Sequence, residues 1–216
     1  MDFKFSIISE YSHYFFTGTL LTIGLSLISI IIGTILGMAF ALGRISKYKA
    51  ISWASACYIE FFRGTPLLVQ LLIIYFGVVP FFMHKSEGVV AAIVALSLNA
   101  AAYIAETIRA GIESVPHGQM EAARSLGMTH NKAMRFIIIP QAMRKILPPL
   151  GNSFISLIKD SSLASTIATP ELMYWANAAN AQYFRVWESF ITAAFIYLIL
   201  TLTISNLLKR FERRVD

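Results

Sequence analysis

Apolar and polar residues follow one another along the chain in long blocks rather than in short periods. Five apolar blocks are each long enough to cross a bilayer, whose hydrocarbon core needs about 20 apolar residues in a helix. The blocks are residues 14–43, 51–79, 88–111, 146–165 and 187–208. Lipid cannot hydrogen-bond a backbone, so each block must be helical except where Pro66, Pro148 and Pro149 interrupt the pattern against protein or water. The pattern predicts an all-α, polytopic membrane protein with five transmembrane helices in one domain, residues 1–216.

Composition agrees with a membrane protein and excludes several kinds of site. Hydrophobic residues make up 56% of the chain and charged residues 14%, against about 45–50% and 25% in soluble domains. Cys57 is the single cysteine and the four histidines show no metal-ligand spacing, so we predict neither a disulfide nor a metal or cofactor site. The sequence has no G-x-x-x-x-G-K-[ST] phosphate loop and no convergent nucleophile and base, so we do not expect an enzyme.

Basic residues are distributed unequally between the two sides of the predicted membrane segment. Twelve of the 18 Lys and Arg residues fall in the first loop, the third loop and the C-terminal tail, and three fall on the opposite side. Short cytoplasmic loops are enriched in Lys and Arg. We therefore predict an N-terminus outside and a C-terminus in the cytoplasm, and the net charge of +6 requires no nucleic-acid partner.

The third loop, residues 114–142, is a polar insert that has helical features of its own. Pro116 lies near a helix start, and Gly127 suits the left-handed residue that ends a helix. Thr129 can cap a second short helix, which Pro140 is expected to end. Two short helices joined at Gly127 would form a cytoplasmic surface for docking a soluble partner. The alternative is a solvated helical loop without a partner.

The same insert carries a recognisable motif, EAARSLGMTHNKAMRFIIIP. It resembles the EAA signature of binding-protein-dependent ABC importer permeases, with Ile139 in place of the usual Leu. The matching positions are Glu121, Ala122, Ala123, Gly127, Ile137 and Pro140. Three further stretches, FFRGTPLLVQLLIIYFG, NAAAYIAETIRAGI and GNSFISLIKDSSLAS, are similar to the polar amino acid branch of that family, the His/Gln/Glu/Arg-type permeases.

The resemblance implies a type I ABC importer permease fold in a bacterial cytoplasmic membrane and a role in carrying a polar amino acid. It also implies three kinds of protein partner: two copies of an ATP-binding cassette subunit that holds ATP and Mg, a second permease chain, identical or paralogous, and an extracytoplasmic substrate-binding protein. The residues implied in ATPase coupling are Glu121, Ala122, Ala123, Arg124 and Gly127. Two alternatives stay open, a permease for another small polar solute and an ion-coupled secondary amino acid transporter.

Polar and ionisable residues inside the apolar blocks are the candidate pathway residues, because such groups are costly in a membrane and usually face a cavity or a partner. A bound amino acid needs donors for its carboxylate and acceptors for its ammonium. The candidates are Glu60, Arg63, Asn99, Tyr103, Lys159, Asp160, Ser161 and Ser162. Alternatively, Glu60 with Arg63 and Glu106 with Arg109, each three residues apart, form internal salt bridges. Acidic and basic residues balance within the blocks, so charge does not choose among glutamine, cystine, basic and acidic amino acids.

The last polar segment, ATPELMYWANAANAQYFRVW, predicts a helix on the outer side of the membrane. We expect Thr169 to cap it and Pro170 to occupy its first position. Such a helix could gate the pathway or contact a binding protein, or it could simply lie at the membrane interface, anchored by aromatic residues.

Overall fold

The computed structural model describes residues 3–215, with side chains described as far as residue 210. Within these residues the chain is helical and has no strand, which confirms the all-α prediction. The α-helices are α1 (Phe5–Arg44), α2 (Lys49–Gly64), α3 (Leu67–Ile73), α4 (Val79–Met83), α5 (Gly88–Glu113), α6 (His117–Ser125), α7 (His130–Ala133), α8 (Ile139–Asp160), α9 (Leu172–Tyr183) and α10 (Val186–Val215). Short π-helices, Ile74–Val78 and Met134–Ile138, join α3 to α4 and α7 to α8, and a 3-10 helix, Ser161–Ile167, follows α8.

Three of the described helices are long and apolar enough to cross a membrane: α1, α5 and the part Val186–Arg210 of α10. They coincide with the first, third and fifth apolar blocks. The second block is not one helix, because α2 and the segment Leu67–Met83 are bent by 107° relative to each other. By length and composition the described residues therefore hold three spans, or four if the bent pair counts as one.

The three prolines within the blocks have different effects on the backbone. Pro66 breaks the second block: Thr65 before it is extended, at φ −117° and ψ 146°, as expected for a residue preceding proline. Pro148 and Pro149 lie inside α8, which continues through both. Pro148 and Pro149 therefore remove backbone donors without ending the helix, whereas a helix ends before Pro66.

Pro140 also fails to end the second helix of the polar insert, contrary to our expectation. Helix α8 begins at Ile139, directly after the π-helix Met134–Ile138, and runs on to Asp160. Pro80 shows the same arrangement, because α4 begins one residue before it and directly after the π-helix Ile74–Val78. Proline has no amide hydrogen and clashes with the carbonyl four residues earlier in a regular α-helix. In both places the wider π-turn lies where that clash would fall.

Helix α5 packs closely against α1 through small residues. A Cβ added to Gly33 would lie 2.9 Å from the Ala100 Cβ, and one added to Gly37 would lie 2.9 Å from the Ala101 carbonyl oxygen. Both distances are too short for real contacts, so only glycine permits this approach, as is common between membrane helices. The contact fixes the position of α5, which also borders the cavities described below.

Helix α9 is anchored by a buried carboxylate. Glu171, rather than the expected Thr169, is its N-cap, and the Glu171 side chain is fully buried. Its Oε1 accepts a hydrogen bond from the Tyr174 amide at 2.7 Å, and its Oε2 accepts one from the Met173 amide at 2.9 Å and one from the Tyr197 hydroxyl at 2.8 Å. Glu171 therefore ties α9 to α10.

Candidate functional site

The break between α2 and α3 is held by two side-chain amides. The Gln70 Nε2 donates to the carbonyl oxygens of Phe62 at 2.9 Å and Thr65 at 3.0 Å. The Asn99 Nδ2, on α5, donates to the Phe62 carbonyl at 3.3 Å and to the Gln70 Oε1 at 3.0 Å. The last carbonyls of a helix have no partner within the helix, and lipid cannot provide one. Here the two amides donate hydrogen bonds to these carbonyls. Our sequence analysis missed Gln70, although a lone amide four residues after a Gly-Thr-Pro break is a visible signal.

A cavity of about 550 Å³, here called the central chamber, lies between this break, α5 and α8. Its lining residues are Thr65, Pro66, Leu67, Asn99, Ala100, Tyr103, Pro149, Asn152, Ser153, Ser156, Leu157, Asp160 and Leu163. The lining residues that come from α8 are spaced three to four positions apart, so they lie on one face of that helix. Among these residues Asp160 carries the only formal charge, and amides and hydroxyls supply the other side-chain polar groups.

A second cavity of about 420 Å³, the inner chamber, lies toward the polar insert. Its lining residues are Arg63, Tyr103, Glu106, Thr107, Ala110, Gly111, Ser114, Lys145 and Pro149. The Arg63 guanidinium carbon lies 5.6 Å from the centroid of the Tyr103 ring, within the range of a cation–π contact. The Lys145 Nζ donates to the Ser114 carbonyl at 2.7 Å.

The two candidate salt bridges within the apolar blocks have different outcomes. Arg109 pairs with Glu106 through two guanidinium nitrogens and with Glu113 at 2.5 Å, which confirms the salt-bridge interpretation for Glu106 and Arg109. Among the ion pairs of the described residues there is none between Glu60 and Arg63, so that alternative is wrong.

The eight candidate pathway residues divide into two groups of four. Asn99, Tyr103 and Asp160 line the central chamber, and Arg63 lines the inner one together with Tyr103. The other four, Glu60, Lys159, Ser161 and Ser162, line neither chamber.

The second group occupies other surroundings. Lys159 and Ser162 border a side cavity of about 590 Å³ against α10. Ser161 is fully buried, and its Oγ donates to the Ile158 carbonyl at 2.8 Å. Glu60 is exposed. Lys159 and Asp160 thus face different cavities, as their adjacency on a helix requires.

The polar insert forms two helices that meet at Gly127, as predicted. Gly127 has φ +82°, and the Met128 amide donates to the Ala123 carbonyl at 3.1 Å while the Gly127 amide donates to the Arg124 carbonyl at 3.0 Å. This is a Schellman C-cap, which requires a left-handed residue. Thr129 caps the next helix, with its Oγ1 3.4 Å from the Lys132 amide nitrogen.

Residues of the predicted coupling set differ in exposure. Glu121, Ala122, Arg124 and Gly127 are exposed, whereas Ala123 is buried. Leu126, at the C-cap of α6, exposes 84% of its surface. The segment 117–133, here called the coupling segment, therefore exposes acidic, basic and apolar side chains on two short helices.

The structure combines long apolar helices, a polar chamber between helices and an exposed pair of short helices. This combination is typical of the membrane component of a transport system. The chain belongs to the family of binding-protein-dependent transport system inner membrane components, whose family model matches residues 29–216. This membership confirms the resemblance carried by the EAA motif.

Individual relatives agree over nearly the whole chain. The chain is 39% identical over 211 residues to the probable glutamine ABC transporter permease protein GlnM of Bacillus subtilis, covering 98% of this chain and 97% of that protein. It is 45% identical over 200 residues to the L-cystine transport system permease protein TcyB of the same organism, covering 92% and 85%. A solved structure described as an amino acid ABC transporter with histidines matches with a TM-score of 0.93 and 45% identity, covering 99% of this chain and 100% of that one.

Proposed function

We propose that this chain is the permease subunit of an ABC importer that moves a polar amino acid across the bacterial cytoplasmic membrane. It has no catalytic activity of its own, and ATP and Mg are bound by a separate subunit. The central chamber carries this proposal, because it combines one carboxylate with amides and hydroxyls at the centre of a helical membrane protein. The names of the similar proteins, which include glutamine, cystine and amino acid transporters, support the substrate class.

We assign five spans: α1, the bent pair α2 with Leu67–Met83, α5, α8 and α10. Helix α8 is the fourth span although its mean hydropathy is low, because its polar residues face the central chamber rather than lipid. The excess of Lys and Arg in the first loop, the third loop and the tail supports an N-terminus outside and a C-terminus in the cytoplasm.

The substrate ammonium is placed at Asp160, and Asn99, Asn152, Ser153 and Ser156 offer polar contacts to the rest of the molecule. The surroundings of the charged residues support a choice that the overall charge balance leaves open. Arg109 is held by two glutamates, and Lys159 faces the side cavity. The central chamber is therefore net negative, which favours zwitterionic or cationic amino acids and repels acidic ones.

Coupling to ATP follows from the continuity of the helices beyond the coupling segment. From His130 the chain continues through α7, a π-helix and α8 without a break as far as Asp160. The 22 residues of α8 alone span about 33 Å at 1.5 Å of rise per residue. A displacement of α6 and α7 by an ATP-binding cassette subunit would thus move the helix that carries Asp160, which links the two sites.

The full transporter in this proposal holds two ATP-binding cassette subunits and a second permease chain. An extracytoplasmic binding protein delivers the amino acid to the outer side, where α9 lies. Glu121, Ala122, Arg124 and Gly127 contact the ATP-binding cassette subunit, and Ala123 is buried behind them.

The experiment is reconstitution of the chain in liposomes with the ATP-binding cassette subunit and any second permease chain that co-purify with it, and with the extracytoplasmic binding protein on the outer side. Labelled glutamine, cystine, histidine and glutamate are offered with and without ATP and with and without an ion gradient. We expect ATP-dependent movement of one or more of the first three and none of glutamate. Movement driven by an ion gradient alone would instead support a secondary transporter, and ATP-dependent movement of none of these amino acids would contradict the substrate class.

A further inference from the structure

The central and inner chambers meet at the same two residues. Tyr103 on α5 and Pro149 on α8 line both cavities, and no other residue among their described linings does so. Tyr103 is 47% exposed. Its ring therefore borders the chambers and does not lie in the packed core. Movement of this one ring would change whether the two cavities are connected.

Arg63 contacts that ring. Its guanidinium lies over the Tyr103 ring at 5.6 Å, and the described residues show no ion pair that would draw it away. The hydroxyl of Tyr103 makes no hydrogen bond among the described residues, so the aromatic face, not the hydroxyl, makes the contact. Arg63 is three residues from the break at Pro66, where the chain can bend. Tyr103 is therefore in contact with the helix that ends at this break.

The charge of the inner chamber is opposite to that of the central one. Arg63 and Lys145 line it, and its one acidic residue, Glu106, is already paired with Arg109. The two cations leave a net positive surface, which attracts a carboxylate. An α-amino acid carries both charges, so the central chamber suits its ammonium and the inner chamber suits its carboxylate.

We propose that the inner chamber is a second binding station for the transported amino acid, where Arg63 receives the carboxylate, and that the Tyr103 ring is the partition between the two stations. This inference rests on the proposed function, since it assigns an exit route to the same substrate. In the closed partition the ring lies under Arg63. When a carboxylate binds Arg63, it competes with the ring for the guanidinium, and the ring is released.

The test of the partition uses single cysteines in a Cys57→Ser background and inside-out membrane vesicles that contain the whole transporter. Ser156→Cys reports on the central chamber and Ala110→Cys on the inner one, and both positions are exposed to their chamber. A membrane-impermeant thiol reagent is added from the coupling-segment side while the ATPase is trapped with ADP and vanadate. We expect fast labelling of Ala110→Cys and labelling of Ser156→Cys that is at least several-fold slower.

Removing the ring should abolish this difference. With Tyr103→Ala, Ser156→Cys should label as fast as Ala110→Cys, whereas Tyr103→Phe should keep the protection. Arg63→Gln should raise the labelling rate by about two- to tenfold, the factor that corresponds to one lost cation–π contact. Phe61→Ala, on the same helix as Arg63 but lining neither chamber, is the matched control and should change nothing. Equal labelling in the presence of Tyr103, or full protection in Tyr103→Ala, would overturn the partition.

The carboxylate station is tested with the ATPase nucleotide-free, by ligand protection of Ala110→Cys. Glutamine is compared with 4-aminobutanamide and histidine with histamine, because each amine lacks only the carboxylate. We expect that a transported amino acid slows the labelling, that its amine does not, and that Arg63→Gln removes the effect. Equal protection by both members of a pair would overturn the station.

The outcomes separate this inference from the function on which it rests. If the unmodified transporter moves glutamine or histidine but shows neither partition nor protection, only the two-station inference is wrong. If it moves no amino acid at all, the proposed function itself is wrong.

Discussion

Asn99 and Gln70 form a hydrogen-bonded pair across two helices, with the Asn99 Nδ2 3.0 Å from the Gln70 Oε1. Gln70 is buried, with 3% of its surface exposed. Its own amide donates to the carbonyls freed at the Pro66 break. Asn99 therefore has a structural role in addition to lining the central chamber. It keeps the broken span attached to α5, so that the break stays at the chamber wall.

Gln70→Leu should destabilise the protein. The substitution keeps a side chain of similar size in the core but removes its amide. The Thr65 carbonyl then loses its donor from Gln70, the Phe62 carbonyl keeps only Asn99, and the Asn99 Nδ2 loses one acceptor. A buried polar group left unsatisfied costs about 1–3 kcal/mol. We expect a lower Tm in detergent than for Val69→Leu, a control at the adjacent exposed position. An unchanged Tm for Gln70→Leu would show that the amide does not hold the break.

Glu171→Ala should have a larger effect on stability than Tyr197→Phe. The first removes the acceptor of four hydrogen bonds, the fourth being that from the Thr22 hydroxyl at 3.4 Å, for a combined cost of about 3 kcal/mol or more. The second removes one bond, worth about 1 kcal/mol. In a double-mutant cycle the Tyr197→Phe effect should vanish once Glu171 is Ala. Proteolysis within residues 172–183 should also be faster in Glu171→Ala. Additive effects on Tm would show that the two side chains do not act together.

The sequence predicted the two-helix geometry of residues 117–133 well and the effects of the prolines poorly, for physical reasons that differ. Gly127 and Thr129 determine local backbone geometry, so their helix-ending and helix-starting roles can be inferred from residue type alone. Whether Pro66 or Pro140 breaks a helix depends on what replaces the lost hydrogen bond: Gln70 and Asn99 at the first, a π-turn before the second. Such partners are set by tertiary contacts and cannot be inferred from the proline itself.

The contrast between local sequence features and tertiary contacts also accounts for where the candidate pathway residues lie. Depth in the membrane suggested Arg63, Asn99 and Asp160 as pathway residues, because charged and polar groups avoid lipid. These three and Tyr103 line the two chambers, and their part in the pathway stays a prediction. Depth did not exclude Ser161, whose hydroxyl donates to the Ile158 carbonyl three residues earlier. That Lys159 and Asp160 face different cavities follows from their adjacency on a helix and not from depth. Glu171 was missed because the preceding Thr-Pro pair resembles a helix start, while the true cap depends on Tyr197 of a distant helix.

Gly127→Pro and Glu121→Lys should abolish ATP-coupled uptake and leave insertion into the membrane intact. Proline cannot adopt φ +82°, and the Glu121→Lys change reverses a charge on the exposed face of α6. Gly127→Ala should have a smaller effect, because an alanine in this conformation costs about 1 kcal/mol. Gly118→Ala, where an added Cβ meets no neighbour within 4 Å, is the matched control. Normal uptake with either Gly127→Pro or Glu121→Lys would refute the docking role.

Asp160→Asn should weaken transport of zwitterionic and cationic amino acids. Losing a charge-assisted hydrogen bond to the substrate ammonium should raise KM by about 10- to 100-fold. Lys159→Gln, one residue away but facing the side cavity, should leave KM nearly unchanged. Both are measured as concentration-dependent uptake in liposomes with ATP. Equal KM values for Asp160→Asn and the unmodified chain would remove Asp160 from the binding site.

The most direct test of the central claim is labelled amino acid uptake in cells that lack this gene, each unlabelled amino acid being added in turn as competitor. Our account predicts the loss of one competable, ATP-dependent uptake component that the unmodified chain restores and Gly127→Pro does not. Restoration by Gly127→Pro as complete as by the unmodified chain, or unchanged uptake of every amino acid in a strain without redundant importers, would contradict it.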